Sequence, residues 1–293
     1  MNRIANFLSI IAFLLPAFHV GASDEISAVE PMSKVAPPAN AKVQRDVAYG
    51  PEAAQRMDVY APREAKKAPI ILMVHGGGWR YGDKNSAGVV ENKIARWLPR
   101  GVIIVSANYR MLPKTDPLEQ ANDVARALAT VQQRATAWGG DPTRIVLMGH
   151  SAGAHLVALL AADPAIAAAQ GAKPWLGTIP LDSAALDVTA IMGTKHLRLY
   201  DNAFGSKSEY WRSASPLHRL TGTPAPMLIV CSSKRSQPCP EARQFAEKAA
   251  VTGGKVTVLP VALSHAAVNR DLGTAGVYTD GVETFLRSLN VLE

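Results

Sequence analysis

Six continuous apolar runs, separated by helical patterns, constrain the fold of this 293-residue chain more than any other feature. Pro69 to His75, Gly101 to Ala107, Arg144 to Met148, Trp175 to Leu181, Met227 to Cys231 and Lys255 to Val261 each read as a strand, and continuous apolarity suits burial on both faces. Helical patterns cover Ser86 to Leu98, Pro117 to Ala137, Ser151 to Ala162, Pro240 to Val251 and Val277 to Leu289. Such alternation predicts an α/β fold: a mainly parallel sheet with helices on both faces. Val43 to Tyr49 and Arg56 to Tyr60 alternate polar and apolar residues and suit an antiparallel hairpin at one edge, which brings the expected sheet to eight strands. No internal repeat is visible, and one domain over residues 43–293 is the economical reading. In sheets of this kind ligands bind at the carboxyl ends of the strands, which filters the candidate residues.

Gly149-His150-Ser151-Ala152-Gly153 lies where a predicted strand meets a predicted helix. A G-x-S-x-G turn in that context exposes the serine at the top of the sheet, and its glycines let strand and helix pack closely. His75-Gly76-Gly77-Gly78-Trp79 follows another strand. Its glycines let the backbone approach a substrate, so the N–H groups of Gly77 and Gly78, with that of Ala152, are candidate donors to an oxyanion. A phosphate-binding turn is the competing reading, but neither G-x-x-x-x-G-K-[ST] nor G-x-G-x-x-G fits here. Of the seven histidines, His265 alone lies just past the last strand and after the nucleophile in chain order. His75 and His150 belong to the two motifs, and His155 is expected to pack.

With these motifs in view the sequence resembles the α/β-hydrolase superfamily, in the branch of hormone-sensitive-lipase-like esterases and kynurenine-formamidase-like enzymes. The resemblance rests on HGGGW at 75–79, Asn108-Tyr109-Arg110, Gly140-Asp141-Pro142, GHSAGAH at 149–155, Ser215-Pro216 and Ser264-His265, and runs from about residue 45 to 290. It implies hydrolysis of a small-molecule carboxylic ester by Ser151, with His265 as base and no metal or organic cofactor. An arylformamidase acting on an N-formyl amide is the alternative. A catalytically impaired binding protein of the same fold is a third reading.

One departure motivates that third reading. The family usually places its triad acid in the loop after the seventh strand, and here Ser232 to Cys239 holds no carboxylate, with Gln237 at about the usual position. Asp182, directly after the strand ending at Leu181, is the preferred substitute; Asp187 and Glu241 are further candidates. The long segment from Leu186 to Thr223 carries Tyr200, Phe204, Tyr210 and Trp211, and reads as a small cap, with core packing of these aromatics as the alternative.

The N-terminus predicts export. Arg3 precedes an apolar run from Phe7 to Phe18, and Val20-Gly21-Ala22 supplies small residues for cleavage after Ala22. The run is short for a membrane span, so no stable membrane anchor is expected after cleavage. Residues 23–42 read as a flexible arm. The formal charge of +7 becomes +6 without Arg3, and the basic residues are scattered, which argues against a nucleic-acid partner. In an oxidising compartment Cys231 and Cys239 have the spacing to close a small disulfide loop; two unpaired buried thiols are the alternative.

Overall fold

The computed structural model of the protein describes residues 34–36, 38, 39 and 41–293. The expected signal peptide and most of the expected arm lie outside the described residues. Eight strands form one sheet in the order β1-β2-β4-β3-β5-β6-β7-β8. They are β1 (Ala41–Ala48), β2 (Arg56–Pro62), β3 (Ala68–Val74), β4 (Ile103–Ala107), β5 (Gly140–His150), β6 (Gly177–Leu181), β7 (Met227–Ser232) and β8 (Val256–Val261). The β1–β2 hairpin is antiparallel at the edge, β2 pairs antiparallel with β4, and the remaining pairs are parallel.

The central strands are buried on both faces because two helical layers cover them. In β3, Ile70, Leu72 and Val74 join the core formed with α2 (Pro117–Arg134) and α3 (Ala152–Ala162). Ile71 and Met73 join the opposite core, with α1 (Ala87–Trp97) and α11 (Val277–Ser288). This period-two split is what a doubly covered strand requires. Every residue of α3 is buried, so it shows no amphipathic stripe: it is enclosed by sheet, neighbouring helices and cap. α2 begins with a capping box, in which Asp116 accepts the N–H groups of Leu118 and Glu119 while Glu119 accepts that of Asp116. α11 is tied to α1 by Glu283, which accepts hydrogen bonds from Arg96, Trp97 and Arg100. Burial pushes that carboxyl up, but these donors outweigh it and hold it down at about 2.

Two expectations change, and the segment read as a cap gains its internal structure. β1 starts at Ala41, and Val35 is buried with its N–H donated to the Asn85 carbonyl, so part of the expected arm packs against the domain. The second helix stops at Arg134, and a 3₁₀ turn over Ala135–Trp138 closes on Gly139 with φ of 79°. The segment from Leu186 to Thr223 folds as four short helices: α5 (Val188–Met192), α6 (Arg198–Phe204), α7 (Ser208–Ser213) and α8 (Pro216–Arg219). Among the described residues no helix is long and apolar enough to cross a membrane.

Candidate active site

Ser151 sits between β5 and α3 with φ of 53° and ψ of −116°, outside the regions an L-residue prefers. Its N–H donates to the Leu181 carbonyl at 2.9 Å, and its own carbonyl accepts the His155 N–H at 3.1 Å. The flanking glycines make the turn possible. A Cβ on Gly153 would lie 2.3 Å from the Val74 carbonyl oxygen, so only glycine lets α3 start this close to β3. Ala152 supplies the first N–H of α3, a donor that a helix cannot satisfy internally.

His265 opens α10 (His265–Arg270), a short helix just past β8, whose Ser264 cap accepts the Ala267 N–H at 3.3 Å. Two buried side chains from elsewhere hold it. His150 donates from Nε2 to the His265 carbonyl at 3.0 Å, and Lys93 of α1 donates from Nζ to the Asn269 carbonyl at 2.7 Å. In this position the imidazole meets two partners: Ser151 Oγ lies 2.9 Å from Nε2, and Asp182 Oδ2 lies 2.7 Å from Nδ1. The structure thus brings together the serine, histidine and carboxylate singled out from sequence.

Asp182 is fully buried one residue past β6, with φ of 55° and its N–H donated to the Val230 carbonyl at 2.8 Å. Oδ1 accepts the Ser232 N–H at 2.7 Å. Oδ2 accepts from Arg235 Nη1 at 2.9 Å as well as facing His265. Burial pushes this carboxyl up; the His265 hydrogen bond, the Arg235 cation and the Ser232 amide outweigh it and hold it at about 2. The other candidate acids are occupied elsewhere. Asp187 caps α5 through the N–H groups of Thr189 and Ala190. Glu241, in the first turn of α9 (Pro238–Val251), accepts the N–H groups of Leu186 and Asp187. Gln237 is exposed.

The glycine-rich loop faces the same cleft. Gly78 and Trp79 line it beside Ser151 and Ala152, each with φ of 60°. Gly77 has φ of 111° and uses its carbonyl to accept the N–H groups of Arg80 and Tyr81. The Trp79 carbonyl accepts from Leu112 N at 3.0 Å and Gln120 Nε2 at 2.9 Å. Its indole N–H donates to His155 Nδ1 at 3.2 Å, so the His155 proton is on Nε2, which donates to the Ala214 carbonyl at 2.7 Å. Burial pushes His155 down to about 4, which keeps it neutral and this link between loop and cap intact. Of the cap aromatics, Tyr200 lines the cleft, whereas Phe204 packs against Trp79 with ring centroids 4.9 Å apart.

Arg235 was not singled out from sequence. In the sequence it is one of many scattered basic residues, in a loop without a carboxylate. The signal was its place between Cys231 and Cys239, which form a disulfide with Cα atoms 5.2 Å apart. Among the described residues no group of three or more His, Cys, Asp or Glu side chains is arranged to hold a metal ion.

An eight-stranded sheet in this order, with a serine elbow after β5 and a histidine after β8, decides the fold. The chain has the α/β-hydrolase fold. The chain is similar to esterase B from Lactobacillus Rhamnosis, with a TM-score of 0.71 and 18% identity over 88% of this chain and 87% of that one; at this identity the likeness concerns the fold. The BD-FAE family model matches residues 57–173. An isoprenylcysteine alpha-carbonyl methylesterase of Arabidopsis thaliana is 27% identical over 74% of this chain and 55% of its own length. A kynurenine formamidase of Danio rerio is 31% identical over 39% of this chain and 37% of its own length. The chain therefore spans less than two thirds of either curated relative.

Proposed function

We propose that this protein is an exported serine hydrolase that cleaves small-molecule carboxylic esters through an acyl-enzyme. The observation that carries the reading is the continuous hydrogen-bonded line from Ser151 Oγ through His265 to Asp182, at 2.9 and 2.7 Å. Ser151 attacks the ester carbonyl as His265 Nε2 accepts its proton. The tetrahedral oxyanion turns toward the N–H groups of Gly77, Gly78 and Ala152. His265 then protonates the departing alcohol, and a water repeats the sequence on the acyl-enzyme. Asp182 fixes the proton on Nδ1 and stabilises the imidazolium. The disulfide supports export, since such bonds persist in oxidising compartments.

A panel of p-nitrophenyl esters and N-formylkynurenine tests this reading, run with and without a serine-directed phosphonate. Ester turnover that the phosphonate blocks and Ser151→Ala abolishes, by at least about 10⁴-fold, is the expected result. Phosphonate labelling that persists in Ser151→Ala would overturn the assignment. N-formylkynurenine turnover exceeding every ester would transfer it to the formamidase reading, which the partial likeness to a kynurenine formamidase supports.

A further inference from the structure

We infer that Arg235 is a positioning residue that clamps Asp182 against His265, standing in the loop where this fold usually carries its acid; the inference rests on the proposed roles of Ser151, His265 and Asp182. The guanidinium reaches the same carboxylate oxygen as the imidazole. Nη1 is 2.9 Å from Asp182 Oδ2 and 3.1 Å from His265 Nδ1, so the three atoms form a closed triangle. A guanidinium only donates, and an anionic carboxylate oxygen is a stronger acceptor than a neutral ring nitrogen. Both N–H groups therefore turn to Oδ2. This arrangement keeps the His265 proton on Nδ1 and leaves Nε2 bare for Ser151.

The second carboxylate oxygen is held from the same segment, by the Ser232 N–H at 2.7 Å. One segment, starting at the end of β7 and closed by the Cys231–Cys239 disulfide, thus anchors both oxygens of an acid that belongs to β6. Without the Arg235 bond, Oδ2 loses one of its two donors in a fully buried place. The carboxyl then gains freedom to rotate away from Nδ1. Arg235 also has an opposing effect, because a cation beside the imidazole disfavours the imidazolium. The direction of the change in kcat on its removal therefore decides which effect governs.

The test is chemical rescue of Arg235→Ala. With the disulfide intact, Arg235→Ala is expected to lower kcat on a p-nitrophenyl ester by about 10-fold to 100-fold, the range for loss of a hydrogen bond to a charged group, with KM within about twofold. Guanidinium chloride at millimolar, non-denaturing concentration should restore part of kcat in a saturable manner, and urea at equal concentration should not. Arg235→Lys should retain more activity than Arg235→Ala. An unchanged or raised kcat in Arg235→Ala overturns the inference, and so does a loss that guanidinium fails to relieve while Tm is unchanged. If Tm falls and the loss resists rescue, Arg235→Met decides: a kcat within twofold of wild type also overturns it. A wild-type protein with no esterase activity and no phosphonate-reactive Ser151 would instead remove the underlying reading, an outcome visible before any Arg235 variant is made.

Discussion

Ser151 and Asp182 each stand one residue beyond the end of paired strands, with nearly equal positive φ. His150 pairs with Leu181 as the last register of β5 and β6, and the two following residues have φ of 53° and 55°. Holding a residue other than glycine at such a φ costs roughly 1–3 kcal/mol. Here that φ turns both functional side chains over the carboxyl edge of the sheet. The acid thus reaches His265 from β6, and the β7 loop is free to supply Arg235 and the Ser232 amide.

Asp182→Asn keeps the volume and removes the charge. An amide cannot stabilise an imidazolium and can present its N–H₂ to Nδ1, selecting the wrong tautomer. Turnover is expected to fall by about 10⁴-fold, measured as kcat on a p-nitrophenyl ester. A loss below tenfold would show that Asp182 is not the working acid.

Glu241 gives a pH-dependent stability. Burial pushes its carboxyl up to about 8, above an ordinary value of 4.5, against the N–H groups of Asp187 and Leu186. Between these values the unfolded chain releases a proton that the folded protein keeps, so this group's contribution falls as pH rises from about 4.5 to about 8. Glu241→Gln keeps an acceptor for those amides and cannot ionise. Its stability relative to wild type should therefore increase between pH 5 and pH 8 in urea melts. A constant difference across that range would contradict the shift.

The disulfide braces the segment that anchors Asp182. Replacing both partners in Cys231→Ser/Cys239→Ser opens a short loop and should cost about 2–3 kcal/mol of stability, read as a lower urea midpoint with unchanged slope. Activity should fall as well, because the bridged segment carries Arg235 and Ser232. Full activity in the double variant would show that the segment holds its shape without the bridge.

The sheet was legible because β3 to β7 bury both faces and so appear as unbroken apolar runs. The elbow was legible because Gly149 and Gly153 answer to close backbone approach, a local requirement. α10 was not: six residues are too few to display a helical period, and it depends on Lys93, 176 positions away from Asn269. The same holds for α5 to α8, the longest of which has seven residues. Asp182 could be nominated by its place after an apolar strand. Arg235 offered only its place between two cysteines, since its meaning comes from a carboxylate 53 positions earlier that only the folded sheet brings near.

The separation of the three site residues also sets when they meet during folding. Ser151 and His265 are 114 positions apart, and Asp182 and His265 are 83 apart. Contacts of such range pay their loop-closure entropy late. The α10 strut adds a further long closure, from Lys93 to Asn269. Recovery of ester hydrolysis after dilution from denaturant would therefore trail the recovery of helical signal, and that turnover would serve as a clock for completion of the whole sheet.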